Sequence, residues 1–209
     1  MANKEMIDAK EDKVVAVHKA YKITLEGTAG LIMNKMPDLS LSKAEKKNQA
    51  RVDLVECERL HWREKAYTEN GMVVIPGENI HECMKEAAKY WGGRIDGEGK
   101  RTYTDLIASA VICDSVQTGI NENDERELIP FGKAVNGNPS KGKKSGCKVY
   151  RIRPLLPIGW RGTFVMHVFD SRITNHVLNT IFEFGGTFKG LCDWRPTYGR
   201  FSVVSMEEM

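Results

Sequence analysis

The stretch that most constrains this chain is residues 171–204, SRITNHVLNTIFEFGGTFKGLCDWRPTYGRFSVV. It predicts a helix, a glycine-rich loop and a closing strand. Ser171 is placed to cap the helix, because its hydroxyl can accept from an unpaired amide of the first turn. Ile173, Val177, Leu178, Ile181 and Phe182 recur at helical spacing and give the helix one apolar face. Gly185 and Gly186 are expected to end it, since glycine adopts the left-handed backbone of a helix stop without penalty. Gly190 and Gly199 then bracket Leu-Cys-Asp-Trp-Arg-Pro-Thr-Tyr, and Arg200 to Val204 reads as strand. A loop carrying glycines, Lys189, Arg195, Arg200, Trp194 and Tyr198 suits close approach of backbone to a phosphate chain with bases stacked beside it. The same residues equally suit a hairpin in which Trp194 and Tyr198 simply cap the core.

Earlier in the chain the same kind of punctuation recurs. Tyr21-Lys22-Ile23-Thr24-Leu25 alternates as a half-buried strand does, continuing from Val14-Val15-Ala16-Val17 and ending at Gly27 and Gly30. Asn70-Gly71 is a hairpin-turn signal before the strand Met72-Val73-Val74-Ile75. Pro76-Gly77 stops that strand and opens a helix from Glu78 through Trp91, with Ile80, Met84, Ala87, Ala88 and Trp91 on one face. Gly92-Gly93 closes the helix. Ile107 to Val116 is expected as a buried strand, and Val149–Arg153 and Gly162–Phe169 as two more. Residues 52–67 fit strand or helix, with strand favoured at the end. Residues 33–53 and 121–148 are polar, and both are expected as inserted loops in a single 1–209 domain. Gly97-Glu98-Gly99-Lys100 lacks the spacing and the Ser or Thr of a Walker-type phosphate loop.

Charge narrows the partner rather than the fold. The net charge of +3 is too small to demand a nucleic-acid partner. Its distribution is uneven: Glu122, Asp124, Glu125 and Glu127 cluster, whereas Lys133, Lys141, Lys143, Lys144 and Lys148 lie in a stretch without acid. That asymmetry predicts a local basic surface. The chain has five cysteines, an odd number without paired spacing, and no apolar run long enough to span a membrane. With no signal peptide either, the expectation is a cytoplasmic protein with free thiols. His81-Glu82-Cys83 offers two metal ligands, but no second Cys/His pair follows at zinc-like spacing, so neither metal nor cofactor is expected.

Two strand–helix–strand halves on a largely antiparallel sheet make an α+β, ferredoxin-like (RRM-like) fold with two helices and long inserted loops. Within that frame Asn70-Gly71-Met72-Val73-Val74-Ile75-Pro76-Gly77, running into the helix, resembles the Ile-Pro-Gly-helix signature of the RAMP superfamily, the ferredoxin-fold RNA-binding subunits of CRISPR effector complexes. Gly185-Gly186, Gly190 and Tyr198-Gly199-Arg200-Phe201 resemble that superfamily's glycine-rich loop and last strand. Tyr21–Leu25 with Gly27 and Gly30 is similar to its first strand and loop. The resemblance implies antiviral defence: an RNA-binding backbone subunit that oligomerises along a guide RNA beside other effector subunits. It implies the 133–148 insert, with Lys141, Lys143 and Lys144, as a thumb-like hairpin gripping nucleic acid. Where the family often has Ser and then Lys or Arg after Ile-Pro-Gly, this chain has Glu78, Asn79 and His81, with Lys85 the first basic residue. Backbone subunits that cut target RNA carry an aspartate before the motif. Here the nearest acids are Glu56, Glu58 and Glu64, with Asp53 and Asp38 farther off, so no nuclease role is carried over.

The residues themselves favour binding over catalysis, and no catalytic residue is assigned. Of five histidines, His167 sits in an apolar strand and His176 follows the first turn of a helix. The resemblance implies that His18 or His61 could serve as general acid/base if the chain were like the branch of the superfamily that cleaves RNA without metal, and nothing in the sequence singles out either. The expected partner is single-stranded RNA or single-stranded DNA. Lys189, Arg195 and Arg200 would contact phosphate, Trp194 and Tyr198 would stack, and Gly185, Gly186 and Gly190 would shape the loop. Asp193 or Glu183 would be the acid that otherwise pairs the arginines. A phage-encoded or stand-alone single-stranded nucleic-acid-binding protein and an RNA-processing endoribonuclease remain as alternatives.

Overall fold

Alternation along the first long strand sets the main sheet. Tyr21, Ile23 and Leu25 turn one way and are buried, while Lys22, Thr24 and Glu26 turn the other. The computed structural model describes residues 16–36, 54–136 and 148–209. The elements of the main sheet are β1 (Ala16–Gly27), β3 (Thr68–Glu69), β4 (Met72–Ile75), β5 (Val111–Cys113), β6 (Val116–Asn121), β9 (Arg161–Asp170) and β10 (Phe201–Glu208). They run in the order β10-β1-β9-β6-β4-β3, with β5 also on β9, and every pairing is antiparallel. β5 and β6 act as one interrupted strand beside β9. The helices on this sheet are α2 (Gly77–Trp91) and α4 (Asn175–Phe184), which pack on each other.

Stripped to β1, α2, β5/β6, β9, α4 and β10, the chain is βαββαβ with spatial order fourth, first, third, second. This is the ferredoxin-like arrangement that the alternating elements predict. Ile80, Cys83, Met84, Ala87 and Ala88 form the buried stripe of α2, and Val177, Leu178, Ile181 and Phe182 that of α4. Each fully buried Ile, Leu, Met or Phe of these stripes stabilises by about 1.5–3 kcal/mol relative to exposure.

A second sheet, in the order β2-β8-β7, consists of β2 (Leu31–Ile32), β8 (Lys148–Leu156) and β7 (Ile129–Asn136). β7 and β8 are a hairpin in register from Ile129↔Leu155 to Asn136↔Lys148. The short helix α1 (Leu54–Leu60) and a single 3-10 turn, Arg63–Lys65, pack on β8. Glu58 ties them down: its carboxylate accepts from Lys65 Nζ, from the Ile152 amide at 2.9 Å and from Arg151 Nη1 at 2.7 Å.

The local expectations fare unevenly. Asn70 and Gly71 both adopt positive φ, 51° and 77°, as the tight turn between β3 and β4 requires. Residues 107–116 are not one strand. Tyr103, Leu106, Ile107 and Ala110 are buried at helical spacing, and the segment begins as helix α3 (Tyr103–Ala110) before β5. The described fold therefore has four helices rather than two. Residues 129–136, expected in a loop, form β7. The segment expected as strand or helix over 52–67 is, from residue 54 on, helix (Leu54–Leu60) and 3-10 turn (Arg63–Lys65), and strand begins at Thr68–Glu69. The cap of α4 is Thr174, whose hydroxyl accepts from the Val177 amide at 3.4 Å, rather than Ser171. Val14 and Val15, residues 37–53 and residues 137–147, which include Lys141, Lys143 and Lys144, lie outside the described residues.

Candidate nucleic-acid interface

The loop begins where α4 fails to stop. Gly185 keeps right-handed helical angles, and residues Gly185–Lys189 continue as one π-helical turn. The stop is Gly190, at φ 74°, whose amide donates to Gly185 O at 2.8 Å. Gly186 is needed because a Cβ there would stand 2.1 Å from the Phe201 carbonyl. At Gly199, φ 78°, a Cβ would stand 2.0 Å from Leu191 O. Gly185, Gly186, Gly190 and Gly199 are all buried, so the close backbone approach they permit is made to the protein's own chain.

Backbone hydrogen bonds fasten this loop to the β1–β2 connection. Gly199 N donates to Gly30 O at 2.8 Å, Asp193 N to Ile32 O at 2.9 Å, and Thr28 N to Arg200 O at 3.0 Å. Side chains from the β7–β8 hairpin complete the junction. Arg153 forms an ion pair with Asp193 and lies over Trp194, 4.8 Å from the ring centroid. Lys133 Nζ lies 5.4 Å from the same centroid, and Phe131 meets Trp194 edge-on at 5.8 Å and Tyr198 at 5.5 Å. Burial lowers the Arg153 pKa, with Glu58 acting in the opposite sense, yet a guanidinium stays charged throughout the physiological range. Trp194 and Tyr198 are thus half-buried packing residues that hold loop and hairpin together.

The three predicted phosphate contacts sit differently. Lys189 Nζ lies 4.5 Å above the Tyr90 ring. Arg195 is exposed and its partner is Glu86 of α2, at 3.5 Å, rather than Asp193 or Glu183. Arg200 is exposed and donates through Nε to Pro196 O at 2.8 Å. A 3.5 Å contact between exposed groups is worth little, which leaves Arg195 able to exchange its partner. Burial raises the Cys83 thiol to about 12, while Arg195 and Lys189 both pull it down. Cys113 and Cys192 are also raised to about 12 by burial, so these thiols are protonated at neutral pH and poor nucleophiles.

Beside the loop, a cleft of about 170 Å³ is lined by Asn34, Tyr67, Asn79, Cys192 and Asp193. Elsewhere, His18 Nε2 stands 3.1 Å from His167 Nδ1, with Phe169 stacked on His18. His61 pairs with Glu64, His81 faces Ile107 O, and His176 is exposed. Among the described residues no three His, Cys, Asp or Glu side chains gather as a metal site, and no helix is long and apolar enough to cross a membrane. Phe131, Lys133, Arg153 and Tyr90 were not legible as members of this region, because each is brought in from a distant part of the chain.

No protein-family profile matches the chain, and no curated protein matches it. Among solved structures, it is similar to a chain of type III-B Cmr-beta, determined by cryo-EM bound to cognate target RNA: TM-score 0.53 and 9% identity over 92% of this chain. This chain spans 61% of that one. Cmr6 from Pyrococcus furiosus aligns with TM-score 0.48 and 10% identity, over 90% of this chain and 98% of its own. At 9% identity the likeness to the Cmr-beta chain is one of fold.

Proposed function

We propose that this protein is a RAMP-like, single-stranded RNA-binding subunit of a CRISPR-type effector, acting in the cytoplasm and assembling in several copies along a guide RNA. The observation that carries the proposal is the fold shared with the Cmr-beta chain across 92% of the sequence. The basic loop after α4 adds the chemistry. Lys189, Arg195 and Arg200 contact phosphates, Gly185, Gly186 and Gly190 shape the loop, and Trp194 and Tyr198 fasten it to the β7–β8 hairpin. Lys141, Lys143 and Lys144, in the connection between β7 and β8, act as a second clamp. This is a binding role and it uses no metal.

The test is purification without nuclease treatment, followed by absorbance ratio, size-exclusion profile and separate RNase and DNase digestion. A large RNase-sensitive particle is expected. The Lys189→Ala/Arg195→Ala/Arg200→Ala variant should lose the RNA, and its salt dependence should flatten by about 2 in the slope of log K against log salt, about 0.7 for each phosphate contact removed. A clean monomer without nucleic acid would refute the proposal. A DNase-sensitive particle would move it to a single-stranded DNA binder of the same fold.

A further inference from the structure

An aromatic cluster beside Lys189 is exposed in a way that Trp194 and Tyr198 are not. Tyr90, near the end of α2, is 55% exposed, and Phe188, in the π-helical turn, is 46% exposed. Their ring centroids are 5.2 Å apart, and Phe184 lies beneath, 5.6 Å from Phe188 and 6.0 Å from Tyr90. The rings are tilted by 41–56° rather than stacked face to face, so they do not consume one another's faces. Lys189 Nζ sits 4.5 Å from the Tyr90 centroid. Contiguous exposed aromatics mark an interaction surface, and the cations beside them select its partner. Arg195 supplies a second cation on the α2 side of the loop, in a 3.5 Å pair with Glu86. Exposed aromatic rings next to the Lys189 ammonium match single-stranded nucleic acid, which offers bases to stack and phosphates to neutralise.

We infer that Tyr90 and Phe188 are the platform on which an unpaired base of single-stranded RNA stacks while its phosphate meets Lys189. This rests on the RNA-binding reading above and assigns the stacking role to residues other than Trp194 and Tyr198, whose rings the hairpin already engages.

The experiment is fluorescence anisotropy with a labelled single-stranded oligouridylate and its abasic counterpart, on wild type, Tyr90→Leu, Phe188→Leu and Lys189→Ala. Leucine keeps the apolar bulk and removes the ring. Each leucine variant should bind the uridylate about 5–150-fold more weakly, the range for loss of one stacked base, with an unchanged salt slope. Lys189→Ala should flatten that slope by about 0.7. The abasic strand should lower wild-type affinity by a similar factor and leave Phe188→Leu unaffected. Wild-type protein photocrosslinked to 5-bromouridine RNA should give adducts on Tyr90 or Phe188, a readout independent of variant folding. Tight wild-type binding with unaltered leucine variants, or adducts only at Trp194 and Tyr198, would overturn the stacking assignment and leave RNA binding standing. Leucine variants that bind RNA normally but lose self-association would make the cluster a protein interface. No binding by the wild type would overturn both readings.

Discussion

Single residues decide how tightly the loop is held. Gly186 faces the Phe201 carbonyl so closely that a methyl group cannot enter without moving β10. Gly186→Ala is therefore expected to cost about 1–3 kcal/mol, the range for overpacking, and to lower Tm by several degrees in a thermal melt. Glu58 makes a different case. Burial on its own would raise its pKa, but donation from Lys65, the Ile152 amide and Arg151 holds it below its ordinary 4.5. The folded state therefore keeps the proton off more strongly than the unfolded chain does. Its stabilisation is complete above the ordinary glutamate value and is lost as pH falls through the lower folded value. Denaturant titrations should show wild type more stable than Glu58→Gln near neutrality, with the gap closing below about pH 4.5. A gap independent of pH would rule out the carboxylate charge as its source.

At the scale of elements, the helix caps and turns carry the local logic. Thr174→Ala should cost about 1 kcal/mol, as loss of an N-cap hydroxyl does, measured against Ser171→Ala, which should be nearly silent. The core strands and α2 were legible because alternation, Asn-Gly and Pro-Gly each have a single local solution. α3 was not, because Ile107–Val116 is apolar almost throughout and a short apolar run fits either period. β7 was hidden by Pro130 and Gly132, which argue against a central strand. Among the described residues β7 pairs only with β8, as an edge strand of the second sheet, where such residues are tolerated. The loop's cations were readable from composition. The pairing of Tyr90 with Phe188, or of Arg153 with Asp193, was not, since it depends on which helices and sheets end up adjacent.

At the scale of the whole molecule, assembly on RNA makes a prediction of its own. If several copies line a strand, nuclease footprinting should give protected fragments at multiples of one length, whereas a lone binder gives one fragment. The junction of the two sheets adds a mechanical consequence. Trp194 and Tyr198 grip the hairpin near its base, at Phe131 and Arg153. From Phe131 to Asn136 the strand reaches about 17 Å at about 3.3 Å per residue. The hairpin is thus held at its base, by the loop on one side and by Glu58 on Arg151 and Ile152 on the other, and its far end projects beyond both. A tilt of about 10° at the tryptophan would carry the far end of β7 through about 3 Å, so a small adjustment at the loop becomes a larger displacement at Asn136.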